Sequence, residues 1–95
     1  MIVVGTPQST MGNPGVGTTT PTSTTANCAT AVGLGSKLLG GGALINQGPV
    51  ARGAVSMTAP NPLVGTPTGW QAQGIVTVSG MGNVTVTAYA ICSVP

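Results

Sequence analysis

Two ten-residue runs near the C-terminus alternate in character with a period of two, and they fix the class of fold open to this chain. In Gly69-Trp70-Gln71-Ala72-Gln73-Gly74-Ile75-Val76-Thr77-Val78, one face carries Trp70, Ala72, Val76 and Val78. The other carries Gln71, Gln73, Ile75 and Thr77. In residues 83–92, one face holds Val84, Val86, Ala88, Ala90 and Cys92. Successive side chains of a strand point to opposite faces, so the alternation predicts two half-buried antiparallel strands. Ser79-Gly80-Met81-Gly82 between them reads as a hairpin loop.

Two weaker strands come earlier. Residues 37–46 contain Gly40-Gly41-Gly42 followed by Ala43-Leu44-Ile45. Glycine inside a strand marks a bulge, or a place where another backbone or a large ring packs closely. Residues 50–58 set Gly53, Val55 and Met57 against Ala54, Ser56 and Thr58. Residues 59–69 hold Pro60, Pro62 and Pro67 and read as a loop. No window carries an amphipathic helical stripe. Short strands between Gly/Pro turns predict an all-β fold, a small antiparallel β-sandwich or barrel spanning residues 28–95.

Residues 1–27 have a different texture. After the short apolar run Ile2-Val3-Val4 come Pro7, Pro14 and Pro21, many threonines and almost no bulky side chain. Such a segment cannot bury enough apolar surface to fold alone, so it is expected to be an extended or flexible Thr/Pro/Gly-rich N-terminal arm. Extended, it reaches about 90 Å. The sharper expectation lays it across a neighbouring subunit, with Ile2, Val3 and Val4 as anchor or added strand. A disordered tail is the plainer alternative.

The chemical inventory excludes much. The chain has no Asp, Glu or His, and its only charged side chains are Lys37 and Arg52. An average soluble domain is about a quarter charged. A general base near neutral pH is usually His or a tuned carboxylate, so no catalytic residue, metal site or cofactor is expected. Ser36 and Lys37 are adjacent and on a strand would face opposite ways, which leaves no local Ser–Lys dyad. Gly33-Leu34-Gly35 and Gly40-Gly41-Gly42 do not fit the phosphate-loop pattern. Binding nucleic acid typically takes about 6–10 basic contacts, so nucleic acid is not an expected partner. No run approaches the ~20 apolar residues of a membrane span. The first residues lack the basic and apolar regions of a signal peptide, and Met1 reads as a natural start. Charge near zero weakens colloidal repulsion and favours assembly.

Cys28 and Cys92 bracket nearly the whole expected domain. A metal site usually needs four Cys/His ligands, and a thioredoxin-like pair needs C-x-x-C spacing. The structural reading is one disulfide, which implies an oxidising, extracellular setting. Trp70 and Tyr89 are the only aromatic residues. Together they suit a sugar-stacking platform; the competing reading buries Trp70 with Ala72, Val76 and Val78 and leaves Tyr89 exposed or in an interface.

The order Cys28, Ser36-Lys37-Leu38-Leu39-Gly40-Gly41-Gly42-Ala43, residues 56–60, Gly69-Trp70 and Val86-Thr87-Ala88-Tyr89-Ala90-Ile91-Cys92 resembles a small β-rich domain of secreted actinobacterial proteins and of virion proteins of their phages. The resemblance covers about two-thirds of the chain. It departs from the pattern where Cys-Pro would stand, because Cys28 is followed by Ala29. It implies structural cysteines and no catalytic residue. It also implies a phage virion protein, a capsid decoration (cement) or minor capsid protein, made in the host cytoplasm and working on the virion surface. Its partners would be the major capsid protein or other virion proteins, and it would be a homo-oligomer, with a trimer at a local threefold position favoured. The alternative is a carbohydrate- or host-surface-binding module, at a tail or fibre tip or in a secreted adhesin, that uses Trp70 and Tyr89.

Overall fold

A computed structural model describes residues 1–95. In chain order the elements are β1 (Ile2–Val4), β2 (Gln8–Ser9), β3 (Ser23–Thr24), a single helical turn α1 (Cys28–Ala31), β4 (Leu38–Gln47), β5 (Arg52–Asn61), β6 (Gly69–Val78) and β7 (Val84–Cys92). The fold is all-β, with two antiparallel sheets. In the first, β7 is central, with β4 on one side and β1 and β2 on the other. In the second, β6 lies between β3 and β5. The sheets stack as a sandwich.

The alternation read from the sequence is the alternation of the core. Val84, Val86, Ala88, Ala90 and Cys92 of β7 are all fully buried and meet Ala72 and Val76 of β6. Every fully buried core side chain is small, the largest being valines, while several Leu, Ile and Met side chains lie exposed. Half-buried Trp70 fills one end, packed on the Cys28–Ala90–Cys92 cluster and on the Ala72–Val86–Ala88 cluster. The Cys28–Cys92 disulfide joins the start of α1 to the end of β7 across a Cα separation of 5.7 Å.

Residues 1–27 are extended, and Ile2–Val4 is an added strand, but the sheet it joins is its own chain's. Ile2 lies opposite Ile91 and Val4 opposite Tyr89. The segment runs out along the β7 edge, turns, and returns along the β6 edge as β3. It forms a strap that closes one side of the sandwich. Main-chain bonds do most of the holding: Gly5 N–H to Ala88 C=O (2.7 Å), Thr10 N–H to Val84 C=O (2.9 Å), Thr20 N–H to Gly74 C=O (2.9 Å) and Thr25 N–H to Trp70 C=O (3.0 Å). Where the strap leaves strand register, buried hydroxyls replace the ladder. Ser23 Oγ accepts from Ala88 N–H (2.9 Å) and donates to Thr6 C=O (2.7 Å). Thr20 Oγ1 accepts from Gly74 N–H (3.0 Å), and Thr10 Oγ1 from Val84 N–H (3.1 Å). A Thr/Ser texture without bulk therefore suits an edge-capping strap, and residue 27 marks a change of composition rather than of packing.

Three local expectations are corrected. β6 and β7 belong to different sheets, so the loop expected to close a hairpin between them instead crosses from one sheet to the other. β5 continues through Pro60 to Asn61, so the loop expected over residues 59–69 shrinks to 62–68. Pro60 is opposite Trp70 on an outer strand. There its missing N–H removes no ladder bond, which is one of the settings in which a sheet tolerates proline. The turn α1 was not legible as a helix because it is only four residues long. Its signal is Asn27, whose side chain accepts from Thr30 N–H at 2.8 Å as an N-cap.

Candidate functional site

The glycine triplet of β4 organises the surface. A Cβ on Gly41 would collide with the indole of Trp70, and one on Gly42 with the phenol of Tyr89. Neighbouring strand residues face opposite ways, so the two rings cover opposite faces of one strand. Trp70 packs on the inner side, half-buried, and its Nε1–H reaches an exposed partner, donating to Thr58 Oγ1 at 2.6 Å. Tyr89 lies outside. The two aromatic residues proposed as a joint sugar platform are therefore on opposite sides of a sheet and do not form one.

The outer face of the β7 sheet carries Tyr89 with Thr87 and Ile91 from β7, Ile2 and Val4 from β1, and Leu44 from β4. These six residues line a shallow groove of about 450 Å³. Ile2 and Val4 are about two-thirds exposed (68% and 66%) and Leu44 is 55% exposed, a large apolar exposure for a domain whose own core is built from Ala and Val. The register explains the cluster: Ile2 is opposite Ile91, Val4 opposite Tyr89, and Leu44 opposite Thr87. No charged side chain lies in the groove. Exposed apolar strips of this kind mark interaction surfaces.

The two cations lie elsewhere. The Arg52 guanidinium donates to the carbonyls of Gly48 (2.8 Å) and Ala51 (3.1 Å), pinning the turn between β4 and β5. Lys37 is exposed at the rim of a second hollow of about 360 Å³ between α1 and the 62–68 loop, with Asn27, Ser36, Thr66 and Thr68 among its other lining residues. Ser36 Oγ donates to Ser93 C=O at 2.6 Å, and Lys37 N–H donates to Ser93 Oγ at 2.8 Å. These contacts tie the start of β4 to the residues after β7, and they engage the Ser36 hydroxyl with backbone.

Of the residues singled out from the sequence, Ile2, Val4 and Tyr89 converge on the outer face. Val3 turns inward against the Cys28–Cys92 cluster, and Trp70 is interior. Leu44 and Ile91 were missed as surface residues, and so was Thr87, which is buried at the floor of the groove. Their signal was present in β7, where they occupy or pair with the parity opposite to Val84 and Val86. What was not legible was the register that brings β1 and β4 alongside. Comparison with protein-family models, with curated proteins and with solved structures gives no match.

Proposed function

We propose that this chain is a non-catalytic structural protein of a phage-like virion, a capsid decoration or minor capsid protein that docks on the shell through the outer face of its β7 sheet. The observation that carries the proposal is the uncharged apolar strip of Ile2, Val4, Leu44, Tyr89 and Ile91 on an otherwise small-cored sandwich. A disulfide and a backbone-bonded strap hold that strip in place, which suits a part working outside the cell. The resemblance of the Leu-Gly-Gly-Gly-Ala, Gly-Trp and Tyr-Ala-x-Cys segments to virion domains supports the same direction. Many copies bound weakly to a repetitive shell would give strong net attachment without any single tight contact.

The glycan-binding alternative retains Tyr89 but loses the stacking pair, because Trp70 faces the core. Co-sedimentation of the purified, oxidised protein with empty shells of the phage that encodes it, beside retention on host cell-wall polysaccharide, separates the two. Shell binding without polysaccharide retention is the expected result. Retention on polysaccharide without shell binding overturns the proposal.

A further inference from the structure

The strap caps only one side of the sandwich, along β7 and β6. On the other side β4 and β5 are both outermost strands. The two exposed edges are not equivalent. Along β5 the register is broken between Arg52 and Gly53 and again between Val55 and Met57. Gly53 N–H is taken by the Gln47 side chain at 3.0 Å, and Pro60 has no N–H to offer. Bulges, proline and side-chain caps are the devices that blunt a strand edge.

The β4 edge has none of them between Gly40 and Gln47. Its register against β7 is unbroken there, and that stretch contains no Pro and no charge. Its free groups follow from ladder parity. Ala88 C=O and N–H both serve the strap, and so do those of Val84, so even-numbered residues of β7 point away from β4. The odd residues Thr85, Thr87, Tyr89 and Ile91 bond β4 through their partners Asn46, Leu44, Gly42 and Gly40. Gly41, Ala43 and Ile45 therefore direct their N–H and C=O groups outward. Packing agrees: Ala43 and Ile45 are only half-buried, whereas the Ala88 and Val86 opposite them are fully buried.

We infer that β4 is a dimerisation edge, on which a second copy of this chain adds its own β4 antiparallel across a two-fold axis near Ala43. Parity sets the register: Ala43 faces Ala43, and Gly41 of each copy faces Ile45 of the other. A second copy is the occupant because the segment is nearly self-complementary in size and carries no charge. The two Lys37 ammoniums would stand roughly 40 Å apart at about 3.4 Å per residue, far beyond the screening length of about 8 Å. The pair would place two outer faces side by side on one continuous sheet. The inference rests on the docking proposal only for that use. A strand pair gives a dimer, in place of the trimer expected from the sequence.

Sedimentation of the oxidised chain across a wide concentration range tests it, together with residue-resolved amide exchange. The expected result is twice the chain mass at high concentration, with the Gly41, Ala43 and Ile45 amides gaining at least tenfold protection over the dilute protein. Ala43→Pro removes an outward N–H and no ladder bond, so it should be monomeric with an unchanged fold. Val4→Lys, on the far strand of the outer face, should leave the dimer intact while abolishing shell binding. A monomer at every concentration overturns the inference, as does a dimer whose three amides show no gain. A dimer that survives in folded Ala43→Pro, or is lost in Val4→Lys, also overturns it and moves self-association to the outer face. Should Ala43→Pro fail to fold, the wild-type exchange pattern decides. A wild-type dimer that fails to bind shells, or a Val4→Lys dimer that binds them at the wild-type level, counts against the docking proposal alone.

Discussion

The indole of Trp70 packs against Gly41 on the inner side of β4, so closely that no other residue fits at position 41 without displacing the ring. The ring is also held by its bond to Thr58, and the Tyr89 carbonyl would stand 2.5 Å from an added Cβ, so neither side can yield easily. Gly41→Ala should destabilise the protein by about 3 kcal/mol, the upper part of the range for overpacking. Gly42→Ala meets only the swinging end of Tyr89 and should cost about 1 kcal/mol. Gly40 has no atom within 4 Å of an added Cβ, so Gly40→Ala should stay within about 0.5 kcal/mol. Urea unfolding of the three variants checks the order, and equal losses at the three positions would contradict it.

Ser23 is fully buried and joins three segments, accepting from Ala88 and donating to Thr6. Ser23→Ala leaves a buried N–H and a C=O without their partner and should cost about 1–3 kcal/mol. The exposed Ser56, which donates to Gln73 C=O at 3.1 Å, should lose far less on the same change. Parallel thermal melts of the two variants give the comparison.

Reduction of Cys28–Cys92 frees a loop closed over a sequence separation of 64. In the chain-entropy account this removes about 4 kcal/mol. It also unties α1 from the end of β7. Unfolding with and without reductant should show the shift, and a Cys28→Ser, Cys92→Ser double variant should match the reduced protein. Coincident curves for oxidised and reduced protein would contradict it.

With no Asp, Glu or His side chain, no side chain changes protonation between about pH 4 and 7, so folded and unfolded states bind equal numbers of side-chain protons there and stability should be nearly flat with pH. Unfolding midpoints at several pH values in this window should coincide. A steep acid transition would show that a group outside these side chains controls folding.

Much of this architecture was legible because it is local. Alternation located β6 and β7 and named the inner face of β7 residue by residue. The glycine triplet announced ring packing before any ring could be assigned to it. The strap was legible as extended chain but not as part of this sandwich. Its attachment uses backbone groups and the hydroxyls of Thr10, Thr20 and Ser23, which leave no hydrophobic pattern. Pro60 misled for a related reason: whether proline breaks a strand depends on whether its N–H side faces a neighbour, and that is decided by sheet order. The outer face needed three separate strands in register, and no single window contains it.

The docking face is tested most directly by shell binding of Val4→Lys and Leu44→Lys, each with its melting temperature measured alongside. Both side chains are more than half exposed, so the folded protein tolerates the charge. The account predicts wild-type melting and loss of co-sedimentation with empty shells for both. Shell binding at the wild-type level by either folded variant would contradict it.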